Sequence, residues 1–205
     1  MTILSAGFYC REDTVQIAKE LIGKVIITEF NGLLTSARIV ETEAYKAPED
    51  KACHAYLNRK TKRTKTMFLP GGVAYIYLCY GIHHLFNVVT GPEGAAHAVL
   101  IRAVEPLAGQ EIMLRRRGLD KLKPQLSAGP GVMSKALGIE KAYDAISLTE
   151  PKGLIRIADA PVLPFSEIIA GPRVGIDYAE ECVDWPWRFY QRDCPWVSKI
   201  RKKKS

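Results

Sequence analysis

Two glutamates, Glu41 and Glu43, stand two residues apart in a short apolar segment, ARIVETEAY. The alternation of this segment predicts a β-strand on which both carboxylates and Tyr45 point to the same face. A carboxylate in apolar surroundings is costly unless it is paired, hydrogen-bonded or used in a reaction. The segment therefore indicates a candidate site, because its two carboxylates need partners or a role in a reaction.

Two further segments carry side chains that could complete such a site. The segment VAYIYLCYGI places Tyr75 and Tyr77 on one face of a predicted strand, with Tyr80 at a turn before Gly81. The segment AVLIRAVEP holds a lone arginine, Arg102, inside an apolar run. A strand with acids, a strand with aromatic rings and a strand with a guanidinium group together suggest one functional site.

The strand that holds the glutamates is predicted to be half of a β-hairpin. Asn31-Gly32 separates Lys24–Phe30 from Leu33–Tyr45. This dipeptide is the strongest short hairpin signal, because a type I′ turn needs positive φ at both central residues. The glutamate strand is therefore positioned by its own neighbour in the sequence.

The rest of the chain alternates short helices and strands. The patterns predict helices at Asp13–Ile22, Leu107–Arg117 and Val132–Leu137. They predict strands at Val73–Cys79, Leu85–Val89, Ala98–Val104, Leu154–Ala158 and Arg173–Asp177. No repeat or linker divides the sequence, so we predict one α+β domain over residues 1–205, with a frayed cationic tail at about 199–205.

Charge favours a polyanionic partner. The formal net charge is +7 and the isoelectric point is near 9.1. The segment after Tyr45 has no sustained period and contains a dense basic run. This run fits a solvated loop as well as an arm that contacts phosphates of nucleic acid. Its cations are Arg59, Lys60, Lys62, Arg63 and Lys65.

Several classes of protein and of site are disfavoured. No apolar run reaches transmembrane length, and the N-terminus lacks a secretory signal. We therefore expect no membrane partner and a cytoplasmic protein, or a nuclear one if the source is a eukaryote. The five cysteines are odd in number and contain no CxxC, which argues against a disulfide framework. The four histidines form no cluster with cysteines, so we expect no metal and no cofactor.

The motifs also carry a resemblance to a known family. In order they are RIVETEAY, a histidine eleven residues after Glu43, YIYLCYG, Asn87, LIRAVEPL, GPG with KALGI, RVGID, and PWRFY with PWVS. This series resembles the alkyladenine (3-methyladenine) DNA glycosylase family of the mammalian type, over roughly residues 8–198. The resemblance implies a single α+β domain with an antiparallel β-sheet, flanking helices and a β-hairpin that inserts into the DNA minor groove.

The resemblance also implies roles for individual residues. Glu43 would activate the attacking water and Arg102 would help to hold it. Tyr80 would intercalate where the damaged nucleotide has left the helix. The base pocket would be formed by Tyr45, His54, Tyr77 and Asn87, with Val197 offering a backbone carbonyl to the water.

The activity implied is that of a monofunctional DNA glycosylase. Such an enzyme flips a damaged purine out of the duplex, because a stacked base cannot be reached. It then hydrolyses the N-glycosidic bond and starts base excision repair. The substrates implied are 3-methyladenine, 7-methylguanine, hypoxanthine and ethenoadenine in double-stranded DNA. The simplest expectation is one monomer per lesion, and the motifs do not rank the four bases.

Two other functions remain open at this point. A sugar hydrolase could use Glu41 and Glu43 as its acid pair, since same-face residues two apart on a strand are roughly 6.5 to 7 Å apart. A protein that binds damage without cleaving would keep the tyrosines and cations but would not need Glu43 and Arg102 together. For Glu41 we favour a structural role as partner of Arg38 or of a backbone group.

Overall fold

The computed structural model describes residues 1–200 as an α+β fold around one antiparallel sheet of eight strands. The strands are β1 (Val25–Phe30), β2 (Leu33–Lys46), β3 (Ala74–Cys79), β4 (His83–Val89), β5 (His97–Ala108), β6 (Ile155–Ala158), β7 (Ile168–Gly171) and β8 (Arg188–Gln191). The helices are α1 (Ala6–Tyr9), α2 (Thr14–Glu20), α3 (Gln110–Arg117) and α4 (Pro130–Leu137). The predicted fold class is confirmed.

The glutamate strand β2 lies in the middle of the sheet. The main strand order is β3-β4-β5-β2-β1-β6, and β8 joins β2 and β7 outside this path. One edge of β2 pairs with β5 almost throughout its length. Its other edge pairs first with β1 and then, at Glu41–Glu43, with β8. The acidic part of β2 therefore has a strand on each side.

Both predicted hairpins form. Asn31 and Gly32 have φ of 53° and 73°, as a type I′ turn requires. The β3–β4 hairpin turns at Tyr80 and Gly81, which have φ of 51° and 72°. The Ile82 amide donates to the Cys79 carbonyl at 3.1 Å and closes this second turn.

Helices cover the sheet and bury its apolar side chains. Asp13 caps α2 by accepting a hydrogen bond from the Gln16 amide at 2.9 Å. Ile17 and Ala18 of α2 are fully buried, and the Thr42 hydroxyl of β2 donates to the Ala18 carbonyl at 2.8 Å. This contact fixes the face of β2 opposite the glutamates against the core.

Three sequence predictions need correction. The strand predicted to end at Val104 continues past Pro106 to Ala108, because Glu105 and Pro106 still pair with β2. The helix predicted to start at Leu107 consequently starts at Gln110. The predicted strand at Arg173–Asp177 is a loop, since Arg173 is drawn into a buried ion pair.

The segment between β2 and β3 is more than a solvated loop. It contains 3₁₀ turns at Tyr56–Asn58 and Lys65–Phe68. Its buried Ala47, Cys53 and Met67 form a second apolar cluster with residues of the sheet. This cluster ties the basic run to the edge of the aromatic strand β3.

Two sequence predictions concern the ends and surroundings of the chain. The predicted cationic tail falls mostly on residues 201–205, outside the described part. Among the helices of residues 1–200, none is long and apolar enough to cross a membrane.

Candidate active site

The sheet brings the two glutamates and Arg102 together. In register, Glu43 lies between Leu100 of β5 and Arg188 of β8. Arg102 lies on β5, directly beside the glutamate segment. Its Nε donates to Glu41 at 2.9 Å and its Nη1 donates to Glu43 at 3.2 Å. One guanidinium group therefore links both carboxylates.

Glu41 is held as a structural anion. It is fully buried and accepts hydrogen bonds from Arg102 Nε, from Arg188 Nε at 2.7 Å, and from the Ser198 amide and hydroxyl at 2.8 and 2.9 Å. Burial alone would raise the pKa of this carboxyl, but the two arginines and Ser198 together lower it below its ordinary value. The predicted partner Arg38 instead pairs with Glu105, whereas the predicted backbone partner is present as Ser198.

Glu43 is also fully buried and is not itself among the described residues that line the cavity, but the three described residues that donate hydrogen bonds to it all are. The Tyr45 hydroxyl donates to Oε2 at 2.8 Å, beside the bond from Arg102. The Val174 amide donates to Oε1 at 2.7 Å. An ionised carboxylate has about four acceptor sites, and these donors use three of them.

The electrostatic coupling of this group is strong. Burial alone would lower the pKa of the Arg102 guanidinium, but Glu43 and Glu41 more than offset this and raise it. Burial, followed by the charge of Glu43, raises the pKa of Tyr45 well above its ordinary value. Near neutral pH the site therefore holds a permanent cation and a neutral phenol that donates to Glu43.

The cavity in front of Glu43 has a volume of about 680 Å³. This volume lies in the range typical of small-molecule sites. Four of the five predicted pocket residues line it, namely Tyr45, His54, Tyr77 and Asn87. Its lining thus includes the aromatic rings of Tyr45 and Tyr77, which could stack on a planar ligand.

His54 is fixed against the aromatic strand. Its ring meets Tyr77 edge-on, with centroids 4.6 Å apart, and its Nδ1 lies 3.0 Å from the Tyr75 hydroxyl. Burial, with a further contribution from the charge of Arg63, lowers the pKa of His54 to about 4. Arg63 Nη2 lies 3.1 Å from His54 Nε2. Since arginine can only donate, Nε2 is an acceptor and the proton of the neutral ring is on Nδ1.

Asn87 and Val197 lie in different settings. Asn87 is buried, and its amide nitrogen donates to the Tyr75 carbonyl at 3.0 Å and to the Leu85 carbonyl at 3.4 Å, which fixes the amide at the cavity. Val197 is half-buried beside Ser198 and is not among the described residues that line the cavity. Its contribution to water binding therefore stays a prediction.

The tip of the β3–β4 hairpin lies at the mouth of the cavity. Tyr80 lines the mouth and is 91% exposed. Leu78 and Ile82 beside it are also exposed. A tyrosine that has so little contact with its own protein is available to a partner.

The basic run lies in the segment next to the same mouth, and its members differ. Arg59, Lys60, Lys62 and Lys65 are exposed, and Lys60 lies over the Phe68 ring. Arg63 is exposed too, but its guanidinium is turned into the cavity. Contacts of these cations with phosphates remain a prediction.

Sequence reasoning missed a buried ion pair that positions a donor to Glu43. Asp50 and Arg173 form a fully buried ion pair, with two contacts of 2.5 and 2.7 Å. Arg173 also donates to the Ala44 carbonyl at 2.9 Å and stacks on the Tyr45 ring, so the pair places the loop that presents Val174 to Glu43. Asp50 and Arg173 are 123 positions apart, so no local pattern shows that they pair. The only hint in the sequence was the RVGID motif, which contains Arg173. Arg188 and Ser198 lie in other motifs whose contact with Glu41 the sequence did not show.

The arrangement suits hydrolysis at a planar aromatic group. A buried carboxylate with an acceptor site that these donors do not use can act as a general base, and its charge can stabilise a cationic transition state. Within residues 1–200, no group of three or more His, Cys, Asp or Glu side chains could hold a metal ion.

Comparisons with known proteins agree with the sequence resemblance. The profile of a family described as methylpurine-DNA glycosylase (MPG) matches residues 7–195. A protein of Chlamydia felis is 48% identical over 188 residues, covering 91% of this chain and 95% of its own. A Bacillus cereus protein is 46% identical over 194 residues, which cover 91% of this chain and 95% of the relative. A protein of Natranaerobius thermophilus is 44% identical over 191 residues, which cover 93% of this chain and 96% of the relative. All three carry the provisional name 3-methyladenine DNA glycosylase.

Proposed function

Because the chain belongs to the methylpurine-DNA glycosylase family and is thus a hydrolase of N-glycosyl bonds in DNA, we propose that it excises flipped, damaged purines with a water activated by Glu43. The proposed substrates are 3-methyladenine, 7-methylguanine, hypoxanthine and ethenoadenine in duplex DNA. The reaction would start base excision repair.

One observation carries this proposal. Glu43 is buried directly behind an aromatic cavity, and the groups that bind it, Tyr45, Arg102 and Val174, are themselves cavity walls. A base that enters the cavity would bring its glycosidic bond close to the carboxylate. Hydrolysis is accelerated when the carboxylate that activates the water lies close to the glycosidic bond that is broken.

Selection of damaged bases would rest on stacking. A flipped base would lie against Tyr45 and Tyr77, and Asn87 would crowd the 2-amino group of guanine. Alkylation often makes a purine electron-poor or cationic, and such a base gains more from an aromatic face. Tyr80 would fill the gap in the duplex and offset part of the cost of flipping.

Hydrolysis would follow from the charges of the site. The transition state of N-glycosidic cleavage is an oxocarbenium-like sugar, which a nearby carboxylate stabilises. Glu43 would accept the proton of the attacking water while the water oxygen bonds to the sugar C1′ and the N-glycosidic bond breaks. A cationic purine then leaves as a neutral base, whereas a neutral purine such as hypoxanthine also needs a proton as it leaves. Arg102 would hold the carboxylate in place through Oε2 and help to orient the water.

The two other functions fit the structure less well. A sugar hydrolase that uses Glu41 as its acid needs a protonated carboxyl, but Glu41 accepts four hydrogen bonds and its pKa is lowered. A protein that only binds damage would have no use for the contact between Arg102 and Glu43. The basic balance of the chain and the exposed Tyr80 also suit DNA better than a neutral sugar.

The test is base release from a 5′-labelled duplex that contains a single hypoxanthine or ethenoadenine. We expect strand cleavage only after hot alkali, because the proposed mechanism uses no amine nucleophile and leaves an abasic site. The same duplex with adenine at that position is the control. Cleavage before alkali treatment would contradict the monofunctional mechanism, and no release of either lesion would contradict the proposal.

A second measurement concerns the basic run Arg59–Lys65 as a phosphate-contacting arm. We expect affinity for undamaged duplex to fall steeply with salt, because each neutralised phosphate releases counterions. A flat response would exclude phosphate contacts by this run.

We further propose that one monomer acts on each lesion and that, as the relatives are bacterial, the reaction takes place on chromosomal DNA in the cytoplasm.

A further inference from the structure

Arg63 occupies part of the cavity in which the proposed base would bind. Its guanidinium carbon lies 4.8 Å from the centroid of the Tyr77 ring, which is the distance of a cation–π contact. Its Nη2 donates to His54 Nε2 at 3.1 Å. Arg63 is thus bound to two walls of the cavity by contacts of different kinds.

The other members of the basic run do not line this cavity, as far as the described residues show. The Arg63 side chain is exposed overall, so it has a path out of the mouth without any change in the core. The segment around it is anchored by the Thr64 hydroxyl, which donates to the Arg59 carbonyl at 2.8 Å. The backbone is therefore fixed while the long side chain can rotate.

A stacked base and the guanidinium of Arg63 compete for the same surface. Both need a face of the Tyr77 ring, and a cationic base would additionally be repelled by a like charge at contact distance. The contact with Arg63 occupies the acceptor nitrogen of His54, so a base that could donate to this atom is also excluded. With Arg63 in place, the Tyr77 wall of the cavity is not available to a stacked base.

We propose that Arg63 closes the base cavity in the DNA-free protein and leaves it for a backbone phosphate when a lesion enters. This inference rests on the proposed function and assigns Arg63 a role in specificity. A planar guanidinium can exchange an aromatic face and an imidazole for a phosphate, to which it binds with two parallel hydrogen bonds. A free base offers no such phosphate, so closure disfavours free bases and single nucleosides over damaged DNA.

The proposal is tested with free 1,N6-ethenoadenine, whose fluorescence is followed as the protein is titrated. Arg63→Gln removes the guanidinium that covers Tyr77. Lys152→Gln makes the same charge change at an exposed turn residue outside the cavity and serves as the control. We expect Arg63→Gln to bind the free base about five- to thirtyfold more tightly than the wild type, the size of one cation–π contact and one hydrogen bond. Lys152→Gln should bind it as the wild type does.

The phosphate half of the proposal has its own readout. For duplex with one lesion, the slope of log affinity against log salt should become shallower by about one in Arg63→Gln and stay unchanged in Lys152→Gln. A free-base affinity of Arg63→Gln that is equal to or lower than that of the wild type overturns closure. An unchanged salt slope overturns the transfer to phosphate.

These outcomes do not depend on catalysis. Since the free-base titration involves no bond cleavage, it remains decisive even if the wild type releases no base from DNA. The proposed function can therefore fail on its own, and so can the role of Arg63.

Discussion

Replacement of Glu41 by glutamine separates a structural role from a catalytic one. Glu41 is fully buried and accepts four hydrogen bonds, two of them from arginines. Glutamine keeps the shape but removes the charge, and its amide nitrogen must face at least one of the former donors. Arg102 retains Glu43 as a partner, whereas Arg188 loses its carboxylate.

The magnitude follows from this environment. Removal of one partner from a buried ion pair costs about 3–5 kcal/mol, because the other charge stays buried without compensation. For a chain of this size, a loss of about 4 kcal/mol lowers the melting temperature by roughly 8–16 °C. The matched control is Glu105→Gln on the surface, where Glu105 meets Arg38 at 2.8 Å but both side chains are at least one-third exposed. That change should cost less than about 1 kcal/mol.

The assay is urea unfolding of both variants, followed by single-turnover base release at a temperature where each is folded. We expect Glu41→Gln to lose stability but to keep most of its rate per folded molecule, since Tyr45, Arg102 and Val174 still hold Glu43. A Glu41→Gln protein as stable as Glu105→Gln would refute the reasoning about the buried charges. A stable protein without activity would instead make Glu41 the acid.

Two further predictions concern the cavity and its mouth. Tyr80→Ala should leave stability within about 0.5 kcal/mol, because the side chain is 91% exposed, but should lower base release about 5- to 150-fold through the loss of one stacking contact. Phe165→Ala, at an exposed aromatic residue outside the cavity, is the control, and equal rates for both variants would argue against intercalation. The pKa of His54 is lowered to about 4 in the folded protein, so between pH 6.5 and 4 the unfolded state binds more protons at this residue than the folded state. The contribution of His54 to stability is therefore complete above pH 6.5 and is lost as the pH falls. Urea midpoints should decline less steeply over this range in His54→Gln than in the wild type, and identical slopes would contradict the assignment.

The sequence was most informative where local chemistry determines structure. Asn31-Gly32 predicted the first hairpin, because positive φ at both residues of a two-residue turn limits the choice of residues. Gly81 between two strand patterns predicted the second. Period-two alternation placed Glu41 and Glu43 on one face of β2. The family resemblance then selected the residues of other segments that line the same cavity.

The sequence was least informative where side chains from distant segments meet. Arg173 lies in a segment that was predicted to be a short strand, but its ion pair with Asp50 accompanies a loop that presents Val174 to Glu43. Arg63 looked like any other cation of its run, and only the packing of its loop against β3 places it over Tyr77. Such contacts depend on tertiary arrangement, which neither periodicity nor charge pattern encodes.

The most direct test of the mechanism is single-turnover base release from duplex with one hypoxanthine or ethenoadenine, by the wild type and by Glu43→Gln. If Glu43 activates the water, the variant should bind the lesion as the wild type does and release the base about 10²- to 10⁴-fold more slowly, the usual contribution of a general base. Equal rates for the two proteins would contradict the role of Glu43.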